Sequence, residues 1–190
     1  MKQEVTHERG VNAILMKSWL EQNYQSEFET ICGKMSEAAR DMLTSPAANQ
    51  WYPLELMKEI YSTVFEVLSP DNPAIMADYG YFAAERSASG LLKYLMKLID
   101  MNTVIKRMKT FWKHYHRGGS ITASELTEEN GRMNRTIFIK GYDAGAPACM
   151  VQEGYFTAIA ERAGADNFKI EKKKCIHKGD EVCSWEASWE

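Results

Sequence analysis

The stretch that decides the fold is Cys175-Ile176-His177-Lys178-Gly179-Asp180-Glu181-Val182-Cys183. It joins two predicted strands, Asn167 to Cys175 and Val182 to Trp189, through a short polar turn. Gly179 stands at the centre of that turn, where glycine accepts backbone conformations that other residues resist. The C-terminus is therefore predicted to be a hairpin.

A second hairpin is predicted upstream, around Asn130-Gly131. These residues separate Ser120 to Glu128 from Arg132 to Lys140, and Asn-Gly is a strong hairpin signal because both turn residues need positive φ. Between the two hairpins, Pro147 to Arg162 has apolar residues at helical spacing. The C-terminal half is thus expected to be an antiparallel sheet with one helix inserted between its hairpins.

The first hundred or so residues have the three- and four-residue apolar spacing of helices. Ser36 is predicted to cap one helix, and Pro53 to occupy the first turn of the next, which continues to Leu68. Asn72-Pro73 repeats the start signal for a further helix, and Asn102 is predicted to cap the one after it. The N-terminal half is therefore expected to be helical throughout.

The segment from Ala74 to Ile99 contains two glycines, Gly80 and Gly90. Because glycine costs about 1 kcal/mol relative to alanine inside a helix, each marks either a kink or the close approach of another element. The predicted fold class is α+β, with N-terminal helices packed against a C-terminal antiparallel sheet. Residues 1–190 are expected to form a single ligand-binding domain.

Composition narrows the classes of function. The 190 residues are 45% apolar, and 26 acidic residues nearly balance 23 basic ones, so no strong positive field favours nucleic acid. No apolar run approaches the roughly 20 residues of a membrane span. The polar start, Met1 to Arg9, lacks the apolar stretch of a signal peptide. We therefore expect a cytoplasmic protein with neither nucleic acid nor membrane as a partner.

Three of the four cysteines indicate a possible metal site. Cys175 and Cys183 face each other across the predicted hairpin, where paired side chains come within roughly 5 Å. Cys149 begins the preceding helix, whose amide dipoles favour a thiolate. With His177 or Glu171 as a fourth ligand, the set would suit Zn²⁺. The alternative is that the cysteines are small buried apolar residues and His177 is an exposed turn residue.

An apolar ligand pocket is the second candidate site. Phe111, Trp112 and Tyr115 form a stripe on one predicted helix, and Tyr79, Phe82 and Phe138 are further aromatic residues that could line the same pocket. The alternative is that these side chains form an ordinary core.

No catalytic site is predicted. His114 and His116 lie two residues apart, so they do not face the same way on a helix, and we expect them to be positive charges near its C-terminus. The sequence has no Gly-x-Ser-x-Gly elbow, no phosphate-binding glycine loop and no His-Glu-x-x-His motif. The protein is therefore predicted not to be an enzyme.

The run from Cys175 to Trp185, with the order of elements before it, resembles the 4-vinyl-reductase-type domain. That domain belongs to a superfamily that includes Golgi TRAPP subunits and haem nitric-oxide-binding domains. The specific part is Cys-x-His-x-Gly followed by a second cysteine and a strand ending in tryptophan, after a helix that begins near Cys149 and contains Gly154-Tyr155. The resemblance implies helices packed on an antiparallel sheet, a pocket for a small apolar molecule, frequent dimerisation and a sensory role.

The resemblance also bears on cofactors. In aromatic-sensing members, zinc is held by cysteines that correspond to Cys149, Cys175 and Cys183, with a carboxylate where this sequence has Lys172. Haem-binding members carry a Tyr-x-Ser-x-Arg motif for the haem carboxylates, and this sequence has none. We therefore expect no certain cofactor, with zinc on the three cysteines and His177 as the one candidate.

Together these features predict a non-enzymatic sensory or signalling domain that binds a small hydrophobic molecule between its helices and its sheet. It is expected to act as a homodimer or with a signalling partner. Two alternatives stay open from the sequence: an adaptor that works by protein–protein assembly, and a protein of haem or tetrapyrrole binding or reduction.

Overall fold

The N-terminal half folds into consecutive helices, as its apolar spacing predicts. The computed structural model describes residues 4–87 and 100–190. Ser36 caps the third helix, since its side-chain oxygen accepts a hydrogen bond from the Ala39 amide. The helices of the described ranges are α1 (Val11–Asn23), α2 (Gln25–Gly33), α3 (Glu37–Thr44), α4 (Leu54–Leu68), α5 (Ile75–Ser87), α6 (Met101–Tyr115) and α7 (Pro147–Arg162).

Two antiparallel sheets accompany these helices. The larger has the strand order β4-β6-β8-β7, with β5 pairing β6, and the smaller has the order β2-β1-β3. The strands are β1 (His7–Arg9), β2 (Trp51–Pro53), β3 (His116–Arg117), β4 (Ser120–Ala123), β5 (Thr127–Glu129), β6 (Arg132–Lys140), β7 (Lys169–Lys174) and β8 (Cys183–Trp189). The predicted α+β class, with α7 inserted between the hairpins of an antiparallel sheet, is confirmed.

The larger sheet has one apolar and one polar face. Ile137 and Ile139 on β6 and Trp185 on β8 are buried. The intervening Phe138 lies opposite Thr122 and Ser184 on the other face. Since side chains alternate along a strand, the apolar face of the sheet is the one that joins the core.

The Asn-Gly hairpin forms as predicted. Asn130 and Gly131 have φ values of 52° and 75°, the left-handed pair that this turn requires. The strand predicted for Ser120 to Glu128 is divided into β4 and β5. At the second hairpin, a short 3-10 turn, Ile176–Lys178, ends at Gly179, whose φ is 94°.

Three predictions of local structure were wrong. The N-terminal half is not helical throughout, since it contains β1 and β2 of the smaller sheet, and strands of two or three residues are too short to show an alternating pattern. Pro53 ends β2 and precedes α4, instead of lying in its first turn. Helix α6 is capped by Asp100, whose carboxylate accepts a hydrogen bond from the Thr103 amide, and Asn102 lies inside the helix.

Helices α5 and α7 cross at an unusually short distance. A Cβ atom placed on Gly80 would overlap the carbonyl oxygen of Val151, and one placed on Gly154 would overlap that of Ala77. The two backbones therefore touch, which only glycine allows. Gly80 marks the close approach that the sequence left open as one of two possibilities. Gly90 and the end of the predicted helix at Ile99 lie outside the described residues.

Within the described ranges, none of the helices combines the length and the apolar character that crossing a bilayer requires.

Candidate functional site

A cavity of about 170 Å³ lies where the helices meet the start of the larger sheet. Five helices (α1, α4, α5, α6 and α7) and strands β3 and β4 contribute to its wall. Most of the wall is apolar. Apolar cavities of about 150 Å³ stay dry and bind benzene or xenon, so the volume suits a molecule with one aromatic ring.

The structure brings part of the predicted aromatic set to this cavity. Phe111, Trp112 and Tyr115 line it, and so does Tyr79. Phe82 is not among the described lining residues and packs instead against the Arg86 guanidinium, 5.1 Å from its ring centre. Phe138 is on the opposite face of the sheet. The stripe on α6 is thus the part of the set that faces a ligand-sized space.

The cavity has one polar end, which sequence reasoning missed. His116 lines it, and its side chain is only 9% exposed. The Nδ1 atom of His116 has no hydrogen-bond partner among the described residues and lies 3.5 Å from a carboxyl oxygen of Glu8. Asn12, Tyr61 and Tyr79 are further polar residues on the wall. These groups give the apolar cavity a place where a ligand can form a hydrogen bond.

Glu8 is buried behind this polar end, with no exposed surface. The Tyr142 hydroxyl donates a hydrogen bond of 2.5 Å to one of its oxygens, and the Asn12 amide donates one of 3.0 Å to the other. Burial raises the pKa of Glu8, although both hydrogen bonds act in the opposite direction. The sequence offers little sign of this, because Glu8 lies in a charged, polar N-terminal segment.

Burial also lowers the pKa of His116 to about 3, so its imidazole is neutral near pH 7. The prediction that His116 is a positive charge at a helix end is therefore wrong. The residue lies on β3 and stacks on Trp112, with ring centres 4.1 Å apart. His114, which is exposed, contacts Arg9.

The three predicted cysteines meet at a second location, between the start of α7 and the larger sheet. The sulfur atoms of Cys149, Cys175 and Cys183 all lie within 4.8 Å of one another, and those of Cys149 and Cys183 are 3.9 Å apart. His177 does not join them, since its Nε2 atom lies 3.7 Å from a carboxylate oxygen of Asp143. We call the three cysteines and the adjacent Lys172 the thiol cluster.

Lys172 occupies a place in the thiol cluster that a metal ligand would need. Its Nζ atom is buried without a hydrogen-bond partner of ordinary geometry among the described residues, and it lies 4.3 Å from the centre of the Trp185 ring. Burial alone would lower the pKa of Lys172, but the Cys149, Cys183 and Cys175 sulfurs raise it, so the ammonium stays charged. A fixed cation here opposes the binding of a divalent ion.

The two close thiols differ in acidity. A hydrogen bond from Cys149 lowers the pKa of Cys183, while donating that bond raises the pKa of Cys149. The Cys183 sulfur thus opposes the Cys149 thiolate that the start of the helix is predicted to favour. The cluster holds one negative charge more easily than two.

Comparison with known proteins identifies the fold. No family model and no curated protein matches the chain. Among solved structures, an H-NOX protein from S. oneidensis in the Fe(II)NO ligation state is 14% identical, with a TM-score of 0.68, and the alignment covers 96% of this chain and 99% of that one. The chain has an H-NOX-like fold. An unliganded Fe(II) H-NOX mutant from K. algicida is 10% identical, with a TM-score of 0.71 and 96% of both chains covered.

The H-NOX neighbours correct the prediction about cofactors. The sequence predicted no certain cofactor. The one candidate was a zinc ion bound by Cys149, Cys175, Cys183 and His177. This prediction was wrong, because the solved structures of this fold are proteins of haem iron, in Fe(II) states and with distorted haem. Zinc binding is disfavoured on physical grounds in the thiol cluster, because Lys172 supplies a positive charge there and His177 is absent from it. The resemblance to the 4-vinyl-reductase-type domain stays a prediction.

Haem is thus the group that the H-NOX-like fold implies, and its fit can be tested on the cavity. A neutral imidazole, that of His116, lies on the wall and is the kind of side chain that would hold a haem iron. The volume of about 170 Å³, however, is below the roughly 300 Å³ at which pockets for larger ligands begin. No lysine or arginine is among the described lining residues to pair with the haem carboxylates. The cavity formed by residues 4–87 and 100–190 does not fit haem.

Proposed function

We propose that residues 1–190 are a non-enzymatic sensory domain that binds a small, uncharged and largely apolar molecule in this cavity. The observation that carries the proposal is the combination of an apolar cavity of about 170 Å³ with one nearly buried imidazole, that of His116, on its wall. The H-NOX-like fold supports it, since solved structures of that fold carry a bound group.

The chemistry of the wall sets the class of ligand. A charged ligand would lose its hydration without gaining an opposite charge, because Glu8 and His116 both favour their neutral forms. An uncharged ligand can instead form a hydrogen bond with the His116 imidazole through a hydroxyl or amino group, while its ring packs against Phe111 and Tyr155. The expected ligand is a single-ring compound with one such group.

Phenol and benzene form a matched pair of probes for this proposal. We expect both to shift NMR resonances of residues on the cavity wall, and phenol to bind about tenfold more tightly, since one hydrogen bond contributes roughly 1.4 kcal/mol. Replacing His116 with phenylalanine should remove the preference for phenol and leave benzene binding. Replacing the buried Ala84 with leucine should fill the space and abolish both, whereas the same change at the exposed Ala74 should have no effect.

Two results would contradict the proposal. If neither probe perturbs the cavity at millimolar concentration in a folded protein, the cavity is not a ligand site. If added haem instead forms a complex of one haem per chain whose absorption spectrum depends on His116, the cavity must widen, and haem is the occupant.

A further inference from the structure

Cys149 and Cys183 lie close enough to be joined covalently. Their sulfur atoms are 3.9 Å apart, and a disulfide needs about 2.05 Å, a difference that small side-chain rotations can close. Both residues are buried, and they belong to different elements, α7 and β8. We propose that Cys149 and Cys183 are a modification site at which a hydroperoxide forms a reversible disulfide, with Lys172 as the positioning residue.

Lys172 is difficult to explain as a structural residue. A buried ammonium without a hydrogen-bond partner of ordinary geometry is costly unless a negative charge lies beside it. The groups that act on this ammonium are the sulfurs of Cys149, Cys183 and Cys175. A thiolate among them would neutralise it. The placement of a fixed cation among three thiols therefore favours the nucleophilic form of one of them.

The third sulfur and the ring beside the ammonium fit this arrangement. Cys175 is within 4.8 Å of both partners but is not the one paired at 3.9 Å, so it is expected to be a bystander. The ring of Trp185 lies 4.3 Å from the ammonium and stabilises it through a cation–π contact. The charge is thus held in place independently of the redox state of the thiols.

The reaction balances with a hydroperoxide as the oxidant. The Cys183 thiolate attacks one oxygen of the hydroperoxide, so that an S–O bond forms, the O–O bond breaks and an alcohol or water leaves after taking up a proton. The Cys149 sulfur then attacks the resulting sulfenic sulfur, the S–S bond forms, and water leaves with the thiol proton. Two thiols lose two electrons in total and the hydroperoxide gains them. A dithiol reductant reverses the change.

The disulfide can be mapped directly on the full chain. After treatment with hydrogen peroxide and alkylation under denaturing conditions, we expect a peptide that links Cys149 to Cys183 in the wild type and in Cys175→Ser. Cys32 is the matched control thiol, since it is also buried, burial raises its pKa, and it lies outside the group of three sulfurs. It should be alkylated throughout. Dithiothreitol should restore both thiols.

The contribution of Lys172 has a kinetic signature. In the wild type, the rate of disulfide formation should change little between pH 7 and pH 9, because the thiolate is already present. In Lys172→Met it should be at least about tenfold slower at pH 7 and should increase with pH toward the ordinary thiol pKa near 8.5. Lys172→Arg keeps the charge and should retain the wild-type profile, which also covers the case in which Lys172→Met fails to fold.

Several results would overturn the proposal. Free Cys149 and Cys183 after exposure to excess peroxide, a crosslink through Cys175, or oxidation to sulfinic acid without a crosslink would each exclude the disulfide. An unchanged rate and pH profile in Lys172→Met would exclude the role of the lysine. None of these outcomes depends on what the cavity binds, so the two proposals stand or fall separately.

Discussion

Replacing Gly80 with alanine is expected to lower the free energy of unfolding by about 3 kcal/mol or more, and Gly154→Ala should have a similar effect. Each new methyl group would overlap a backbone carbonyl, of Val151 in one case and of Ala77 in the other. A side chain could rotate away, but a backbone in the middle of a helix cannot. The two helices would have to separate, and the residues packed around their crossing would lose contact. Urea unfolding followed by circular dichroism measures the loss.

Gly33→Ala is the control for this prediction. Gly33 ends helix α2, and a Cβ atom there would meet nothing within 4 Å. The change should leave stability within about 0.5 kcal/mol or raise it slightly, because alanine restricts the unfolded chain. If Gly80→Ala proves as stable as Gly33→Ala, the backbones of α5 and α7 do not touch.

The second large effect concerns acid. Wild-type stability should fall as the pH drops from about 6.5 toward 3, because the unfolded chain protonates His116 over that range while the folded one does not. A pKa of about 3 against 6.5, at about 1.4 kcal/mol per pH unit, gives a loss of up to about 5 kcal/mol. The variant His116→Phe keeps an aromatic ring against Trp112 but has no titrating group at this position. Its free energy of unfolding should therefore not show this decrease at acid pH.

The ionisation of Glu8 changes the free energy of unfolding with pH in the opposite direction to that of His116. The pKa of Glu8 is raised in the folded state, so its stabilising contribution is complete below the unfolded value near 4.5 and is lost as the pH rises through the folded value. Glu8→Gln should remove this loss. Unfolding free energies of the wild type and both variants at pH 4.5, 5.5, 6.5 and 7.5 separate the two effects.

The exposed His114 provides the control for the acid effect. His114→Phe should follow the wild-type dependence on pH, since it removes an exposed imidazole and leaves the buried His116 in place. If the free energy of unfolding of His116→Phe decreases at acid pH as much as that of the wild type, another group causes the decrease.

The sequence predicted the features that depend on neighbouring residues. The Asn130-Gly131 turn, the Ser36 cap and the helical spacing of α1 to α4 are local signals, and each has a direct physical cause within a few residues. The meeting of Cys149, Cys175 and Cys183 followed from the hairpin and from a family resemblance. These features required little knowledge of distant contacts.

The features that were missed depend on partners far away in the chain. Strand β1 exists because Glu8 and its neighbours pair with β2 and β3. Roughly 40 residues of chain separate β1 from β2, and roughly 100 separate it from β3. The polar end of the cavity depends on Glu8 of β1, His116 of β3 and Tyr142 of the loop after β6. In the sequence, Glu8 and His116 lie in segments of charged and polar residues and show no special pattern. Their shifted pKa values arise from burial, which the sequence alone does not reveal.

The glycine crossing holds the middle of helix α7 directly against helix α5. Gly154 lies near the middle of the helix, with Cys149 toward one end and Ile159, on the cavity wall, toward the other. The crossing fixes the middle of α7 against α5, and a disulfide from Cys149 to Cys183 would fix its first turn to β8. Oxidation would therefore attach a helix that carries part of the cavity wall to the sheet as well as to its neighbouring helix.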